Sequence, residues 1–366
     1  MSTPLAERIS SIIASTGPIS VADYFAMCLG DPDFGYYRNH EPFGRAGDFV
    51  TAPEISQLFG EMVGIFLVQA WQASGCPDRI RLVEFGPGRG TMMADMLRAV
   101  EQLAPTLFRS ASVHMVETSD RLTGVQRATL ASYGEKVAWH SHIGDIPAGF
   151  SLLVANEFFD AIPIRQFVKT PHGFRERLIG LDENGCLGFF VGASALPADE
   201  LPPGADAEPD GTVFEMSPAR SAIVEEIAGR LVAHGGVALA IDYGHLVTGF
   251  GDTLQALRNH AFDDPLAHPG MADLTSHVDF ADLAGAAAKA GTSVVGASTQ
   301  GDFLVGLGLL ERAGMLGAGK DAAAQESIRD AVERLAAPGP GNMGELFKVL
   351  AIAGAPVRLP PFRPQD

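Results

Sequence analysis

Short apolar runs alternate with amphipathic segments in the middle of the chain, from residue 79 to about residue 163. Four of these runs have the length and composition of strands: RLVEF, SVHMVE, KVAWH and FSLLVAN. Two amphipathic segments between them have the apolar spacing of helices: TMMADMLRAVEQL and RLTGVQRATLASYG. This alternation predicts a mostly parallel sheet with helices on both faces.

The residues before this block predict helices and one long loop. Ile9, Ile12 and Ile13 have helical spacing, and residues 57–74 predict a helix with a strongly apolar face. The loop at about residues 31–56 is long for a connection and rich in glycine and aromatic residues. Long loops in compact domains are usually functional or disordered, and the aromatic residues favour a functional loop here.

The pattern changes after the first α/β block. Turn signals PHG and DENG separate three short strands, which predict an antiparallel meander: IRQFVKT, FRERLIGL and GCLGFFVG. The α/β rhythm then resumes and ends with the strand FKVLAIAG, interrupted by an irregular loop at residues 251–280. The predicted fold class is α/β: a Rossmann-like, mostly parallel sheet with an N-terminal helical extension and an inserted antiparallel β meander.

Composition narrows the classes of partner and compartment. The 366 residues include 26 Lys plus Arg and 44 Asp plus Glu, a net charge of -18 that argues against a nucleic-acid or anionic membrane surface. An acidic surface suits a basic partner or simple solubility. Cys28, Cys76 and Cys186 form no CxxC pair, so neither a zinc site nor a disulfide framework is predicted. Without a secretory signal or a membrane-spanning run, the expected location is the cytoplasm, or an organelle matrix in a eukaryote.

The most specific chemical signal is the stretch LVEFGPGRGTMM. Gly86, Gly88 and Gly90 form a GxGxG turn after a predicted strand, where backbone can approach a ligand at a helix N-terminus. The dinucleotide fingerprint GxGxxG would need its third glycine at Thr91. Glu84 disfavours a pyrophosphate and favours a cation, such as a sulfonium with an amino-acid ammonium group.

Two more acids follow later strands of the predicted sheet. Glu117 follows the second strand and is expected to accept hydrogen bonds from ribose hydroxyls, and Asp145 follows the third and is expected near an adenine amino group. Each acid alone has a second interpretation as a solvated strand end. Because ligands bind at the carboxyl ends of parallel strands, the set is typical of a class I S-adenosylmethionine-dependent methyltransferase.

A closer resemblance emerges when further segments are added in chain order: DPDFGYY, GDFVTAPEISQLFGEM, LVEFGPGRGT, HMVETS, ANEFFDAIPIRQF, AIDYGH and HPGMADLTSHVDF. The chain is similar to the MidA family, the mitochondrial complex I assembly-factor methyltransferases and their bacterial relatives, from about residue 5 to about residue 355. The resemblance implies S-adenosyl-L-methionine as cofactor and an arginine of a respiratory complex I subunit as acceptor. Bacterial members need not share that target.

The resemblance also implies roles for individual residues. The cofactor loop would comprise Glu84 and the three glycines, with Glu117 at the ribose and Asp145 near adenine. Asp48 and Thr51, in the segment GDFVTAPE, would cover the methionine end of the cofactor.

The segment ANEFFDAIP supplies candidates for the acceptor side. A guanidinium needs a carboxylate fork that fixes its plane. Glu157 and Asp160 are three residues apart and would share a face of a helical turn, so we expect Glu157 to grip the acceptor and Asp160 to assist, beside Asn156. The alternative is that Glu157 caps that helical turn.

Four further residues are expected on the substrate side. His245 and His277 are predicted to orient the substrate, and Tyr36 and Tyr37 to close the acceptor pocket, with buried aromatic packing as the alternative for the tyrosines. No metal site is predicted, because the spacing of His and Asp residues fits no standard site.

The predicted domain organisation has four consecutive segments: an N-terminal helical region with the cofactor-covering loop (1–78), the first part of the methyltransferase core (79–163), the β meander with an acidic loop (164–216), and the second part of the core with a substrate-side insertion at about 244–280 (217–366). Two other functions stay open from the sequence. One is an assembly chaperone that binds the cofactor without turnover, and the other is an NAD-dependent oxidoreductase.

Overall fold

The computed structural model describes residues 3–39 and 51–362, apart from the side chains of residues 38 and 39. The chain forms two compact units, and each is discontinuous in sequence. The larger unit contains Val50–Phe159, Ala222–Leu246 and Phe280–Asp366, and the smaller unit contains Met1–Phe49, Asp160–Ser221 and Val247–Asp279, in each case as far as described. The four consecutive segments predicted from sequence stay a prediction.

The helices of the described residues are, in chain order, α1 (Pro4–Thr16), α2 (Val21–Gly30), α3 (Tyr36–Asn39), α4 (Ala52–Ile55), α5 (Gln57–Ala73), α6 (Thr91–Leu103), α7 (Pro105–Ser110), α8 (Asp120–Thr129), α9 (Pro218–His234), α10 (Phe280–Lys289), α11 (Gln300–Gly306), α12 (Leu309–Gly317) and α13 (Ala322–Ala336). None of these helices is long and apolar enough to cross a bilayer.

The strands of the same residues are β1 (Ile19–Ser20), β2 (Arg81–Phe85), β3 (Ser112–Val116), β4 (Val137–His140), β5 (Ser151–Asn156), β6 (Arg165–Thr170), β7 (Gly173–Leu181), β8 (Leu187–Ala195), β9 (Val213–Met216), β10 (Gly236–His245), β11 (Gln255–Arg258), β12 (Ala261–Asp263), β13 (Asp273–Thr275), β14 (Val278–Asp279), β15 (Ser293–Thr299) and β16 (Phe347–Ala353).

The larger unit is built on a mostly parallel sheet, as the sequence predicts. Its strand order is β15-β16-β10-β5-β2-β3-β4. Strands β10, β5, β2, β3 and β4 are parallel, and β16 runs antiparallel to both β10 and β15. The order reverses at β2, which has β3 on one side and β5 on the other, and ligands of open α/β sheets bind at such a switch point.

Close packing of α5 on α6 fixes the helix that follows the glycine turn. Gly60 and Gly64 are four residues apart on α5 and face α6. A Cβ atom on Gly60 would lie 2.6 Å from the Cβ of Asp95, and one on Gly64 would lie 3.0 Å from the carbonyl oxygen of Met96. The two backbones therefore approach more closely than alanine would allow, and the surrounding core is filled by buried side chains such as Phe66.

The smaller unit combines N-terminal helices with two antiparallel sheets. β6, β7 and β8 form the predicted meander, which β1 and β9 extend by pairing with β7 and β6. The prediction of an irregular loop at residues 251–280 is wrong, because a three-stranded sheet of order β12-β11-β13 lies there. Its strands have only three or four residues, too few to show a clear alternation in the sequence.

Gly60→Ala is expected to lower the free energy of unfolding by about 1–3 kcal/mol, because the added methyl group has no room against α6. Gly285→Ala is the matched control, since Gly285 is exposed on α10 and a Cβ there meets nothing within 4 Å. The control should gain roughly 1 kcal/mol of helix propensity. Urea denaturation of both variants checks the prediction, and equal effects of the two substitutions would contradict it.

Candidate active site

The glycine turn joins β2 to α6 at the switch point of the sheet. Gly86, Gly88 and Gly90 have φ angles of +55°, +52° and +80°, in the left-handed region that favours glycine. A Cβ atom on Gly86 would also lie 3.0 Å from the ring of Phe158. The alternating glycines are therefore required by the backbone itself, and they leave a bare main chain at the N-terminus of α6.

Two buried acceptor atoms lie on neighbouring strands beside this turn. Glu84 on β2 is 2% exposed and Asn156 at the end of β5 is 7% exposed. Strand alternation places both side chains on the sheet face of the core residues Leu82 and Val154. Among the residues that the structure describes, Glu84 Oε2 and Asn156 Oδ1 have no hydrogen-bond partner.

These unpaired acceptors have an energetic cost in the ligand-free protein. Burial raises the pKa of Glu84 well above its ordinary value of 4.5. A buried carboxylate or amide oxygen without a donor is unfavourable, and a cationic donor would relieve it.

Glu117 is held in place directly after β3. Its Oε1 accepts a hydrogen bond from the backbone N–H of Ser119 at 2.7 Å, and its Oε2 accepts one from Gln126 Nε2 at 3.0 Å. Gln126 Nε2 also donates to the carbonyl oxygen of Gly88 at 2.9 Å, and its Oε1 accepts from Trp139 Nε1 at 3.0 Å. The fully buried Gln126 thus links Glu117 to the glycine turn.

Sequence reasoning missed Gln126. It lies on the polar-looking helix α8, and no motif marks it. Burial raises the pKa of the Glu117 carboxyl, and the hydrogen bonds from Ser119 and Gln126 oppose this shift.

Asp145 lies on an exposed turn after β4. Burial lowers the pKa of the His140 imidazole, and the Asp145 carboxylate partly opposes this shift. Glu84, Glu117 and Asp145 are thus placed on or after three consecutive strands of the sheet order, β2, β3 and β4.

The turn after β5 differs from the prediction. Glu157 has φ +47°, which costs a non-glycine residue about 1–2 kcal/mol, and no helix follows it. The predicted helical turn shared by Glu157 and Asp160 is therefore wrong, and the alternative that Glu157 caps that turn is wrong with it. Glu157 Oε1 accepts hydrogen bonds from the Ala52 backbone N–H at 3.1 Å and from Asn156 Nδ2 at 3.2 Å.

The segment that precedes α5 contacts the start of α6 as well. Thr51 is buried immediately before α4, and Glu54 Oε1 accepts a hydrogen bond from the Thr91 hydroxyl at 2.8 Å. Thr91 is the residue that follows the glycine turn, so α4 is bonded to both the glycine-turn helix and Glu157. Asp48 lies outside the described residues.

Two predicted residues belong to the smaller unit and share one backbone network. The carbonyl oxygen of Asp160 accepts from the Ser276 N–H at 3.2 Å and from Arg220 Nη2 at 3.4 Å. Arg220 Nη1 also donates to the carbonyl oxygen of His277 at 2.7 Å. Arg220 is 4% exposed, and sequence reasoning missed it because a cation near a helix start normally indicates a surface residue.

Of the remaining predicted residues, Tyr36 and Tyr37 belong to the smaller unit and His245 belongs to the larger unit. In the smaller unit, Tyr36 is fully buried in the core and packs edge to face on the half-buried Tyr37, with ring centroids 5.4 Å apart. This matches the aromatic-packing alternative for Tyr36. His245 is the half-buried last residue of β10 in the larger unit.

A glycine turn at the switch point of a parallel sheet, with carboxylates on or after consecutive strands, defines a Rossmann-like nucleoside-binding protein. The particular family follows from sequence: the Methyltransf_28 model of S-adenosyl-L-methionine-dependent methyltransferases matches residues 62–298. The chain belongs to this family, and S-adenosyl-L-methionine is its cofactor.

Relatives and solved structures agree with this assignment. The chain is 36% identical to the rat protein arginine methyltransferase NDUFAF7, mitochondrial, over 96% of this chain and 84% of the relative, and 35% identical to the human one over 96% and 83%. It is also similar to the crystal structure of a COG1565 superfamily member from Burkholderia thailandensis bound to S-adenosyl-homocysteine. That match has a TM-score of 0.82 and 30% identity, over 97% of this chain and 93% of the other. The resemblance and fold class predicted from the motifs are confirmed.

Glu84→Gln is expected to stabilise the ligand-free protein, because burial disfavours the ionised form of Glu84 and the neutral amide of glutamine does not carry that cost. A folded-state pKa above 4.5 means that the folded state binds the extra proton, so stability falls as pH rises from that value through the folded pKa. The advantage of the variant should therefore be small near pH ~4 and grow toward pH ~8. Denaturation at several pH values measures it.

Glu101→Gln on the exposed face of α6 is the matched control and should show no such growth. A Glu84→Gln advantage that stays constant over the whole pH range would contradict the prediction.

Proposed function

We propose that the protein is an S-adenosyl-L-methionine-dependent protein arginine N-methyltransferase whose acceptor is a respiratory complex I subunit or a bacterial equivalent. The names of the rat and human relatives, which match over 96% of this chain, support arginine as the acceptor residue. We place it in the cytoplasm, or in the mitochondrial matrix in a eukaryote. The names of those relatives support a mitochondrial location in a eukaryote.

The observation that supports the cofactor assignment is Glu84 Oε2, a buried carboxylate oxygen with no hydrogen-bond partner among the described residues. Its position beside the glycine turn suits the cationic amino-acid end of the cofactor, because an opposite charge offsets the desolvation of a buried carboxylate. Asn156 Oδ1 offers a second acceptor on the same sheet face. Bound S-adenosyl-L-methionine supplies a methyl group activated by a sulfonium.

We assign the remaining cofactor contacts to residues after the next two strands. In this proposal Glu117, which Gln126 orients, accepts hydrogen bonds from ribose hydroxyls, and Asp145 accepts one from the adenine amino group. The bare backbone at Gly86, Gly88 and Gly90 admits the ligand close to the N-terminus of α6. Thr51 and the segment around Asp48 would cover the methionine end.

On the acceptor side we assign the main role to Glu157. A carboxylate that binds two guanidinium nitrogens fixes the plane of the group and draws positive charge toward them, away from the attacking nitrogen. Glu157 is half-buried and its Oε1 is already oriented by Ala52 and Asn156, which suits a preorganised grip. Asp160 assists in this proposal.

The other substrate-side residues act less directly in the proposal. His245 and His277 orient the substrate, and Tyr37 borders the acceptor pocket. Tyr36 supports Tyr37 by edge-to-face contact.

Gly88→Val should abolish S-adenosyl-L-methionine binding, because a branched side chain at φ +52° strains the turn and fills ligand space. Calorimetric titration with S-adenosyl-L-methionine, and separately with NADH, measures this. Gly204→Val is the matched control: Gly204 also has a positive φ, +91°, but a Cβ there meets nothing within 4 Å. Normal affinity in Gly88→Val would refute the assignment of the turn.

Glu157→Gln should retain cofactor affinity and lower methyl transfer by about 100-fold or more, because the neutral amide no longer localises the guanidinium charge. The assay is transfer of labelled methyl groups to purified complex I peripheral-arm proteins, with mass spectrometry identifying the modified side chain. Glu183→Gln, in the exposed turn before β8, is the control.

Unchanged turnover in Glu157→Gln would remove Glu157 from the acceptor site. Wild-type protein that binds both cofactor and partner without any transfer would instead support the chaperone function.

A further inference from the structure

Asp242 is a fully buried carboxylate near the end of β10, and it accepts hydrogen bonds from three backbone N–H groups. Oδ2 accepts from the N–H of Phe158 at 3.2 Å and from that of Phe159 at 3.0 Å, and Oδ1 accepts from its neighbour Tyr243 at 3.0 Å. Two of these three donors belong to the turn that directly follows Glu157. No role in methyl transfer follows from the sequence for this aspartate.

The turn after β5 is thereby attached to β10 through three consecutive N–H groups. The N–H of Glu157 donates to the carbonyl oxygen of Ile241 at 2.9 Å, and the next two donate to Asp242. The first bond continues the parallel β5–β10 pairing, whereas the next two go to a side chain. Where the chain turns away from the sheet, the Asp242 carboxylate therefore supplies the acceptors that backbone carbonyl groups supply within the β5–β10 pairing.

This attachment explains how Glu157 keeps a left-handed conformation. A non-glycine residue at φ +47° persists only where its surroundings fix the backbone on both sides. Ile241 fixes the side before it and Asp242 the side after it. The Glu157 carboxylate then points at the Ala52 N–H, at the start of α4.

The same bonds hold Phe158 against the glycine turn. The Phe158 ring lies 5.5 Å from the Phe85 ring, between centroids, and occupies the space beside Gly86. One buried carboxylate on β10 thus sets both the direction of Glu157 and the wall of the glycine turn.

We propose that Asp242 is a positioning residue for methyl transfer: it holds the turn after β5 so that the Glu157 carboxylate is aimed at the acceptor. The inference rests on the acceptor role proposed above for Glu157. A carboxylate suits the task because it is only an acceptor and can serve several N–H groups at once. An asparagine would place an amide donor against at least one of them.

A double-mutant cycle tests the inference with D242N, E157Q and the combined variant. D242N alone should lower kcat by roughly 10- to 100-fold, since a misplacement of about 1 Å at a reacting group has effects of that size. The Kd for S-adenosyl-L-methionine should rise by less than about threefold, because Gln126 holds the backbone of the glycine turn independently, through the Gly88 carbonyl. In the E157Q background, D242N should add less than about threefold, because residues that act through one another are not additive.

Hydrogen exchange supplies a readout that does not depend on turnover. The amides of Phe158 and Phe159 should exchange faster in D242N while those in the centre of β5 stay protected. If D242N does not fold, D242S replaces it in the same cycle, since a hydroxyl keeps an acceptor without adding an amide group.

Q300L is the stability control. Gln300 is also fully buried in the larger unit, and its Nε2 donates to the carbonyl oxygen of Leu335 at 2.8 Å. We expect Q300L to lower Tm and leave kcat unchanged. A similar kcat loss in Q300L would mean that the D242N effect reflects general destabilisation, and would overturn the inference.

Three further outcomes separate the inference from the proposed function. Full turnover of D242N with an inactive E157Q, or equal kcat losses from D242N in both backgrounds, would refute the role of Asp242 alone. Full turnover of E157Q would refute the acceptor role of Glu157, and the positioning role with it.

Discussion

The parallel pairing of β2 with β5 is the constraint on which the candidate site depends. The strand order reverses at this pair, and ligands of open α/β sheets bind at such a switch point. Glu84, the glycine turn, Asn156 and Glu157 all lie within a few residues of the ends of these two strands. The register of one strand pair therefore places the cofactor residues beside the proposed acceptor residues.

Polar groups at the ends of these two strands are buried at an energetic cost that a ligand can offset. Most buried polar atoms of a folded protein have partners, so Glu84 Oε2 and Asn156 Oδ1 are exceptions that need a reason. Gln126 and Asp242, by contrast, are buried polar side chains whose hydrogen bonds hold other parts of the site. The first two atoms are therefore available to a ligand, whereas Gln126 and Asp242 stabilise the conformation of the site.

The sequence predicted the parts of the fold that are governed by local pattern. β2, α6 and the glycine turn begin and end at the predicted residues, because strand and helix periodicity change abruptly at Gly86 and Thr91. The short strands β11 to β13 were missed for want of periodicity.

The left-handed Glu157 was missed for a different reason. Its conformation is set by contacts with β10, which is more than 80 residues away in sequence. Gln126 and Arg220 were missed because their partners Gly88 and His277 are 38 and 57 residues away in sequence and because their residue types usually indicate a surface.

The bridging amide of Gln126 has a consequence for how ligands bind. One side chain fixes both the Gly88 carbonyl and the Glu117 carboxylate, and Trp139 fixes that side chain in turn. A flexible glycine turn would have to lose conformational entropy when a ligand arrives, whereas this one is already ordered. Gln126, from another helix, thus restricts a backbone that three glycines would otherwise leave flexible. More of the binding free energy then remains available as affinity.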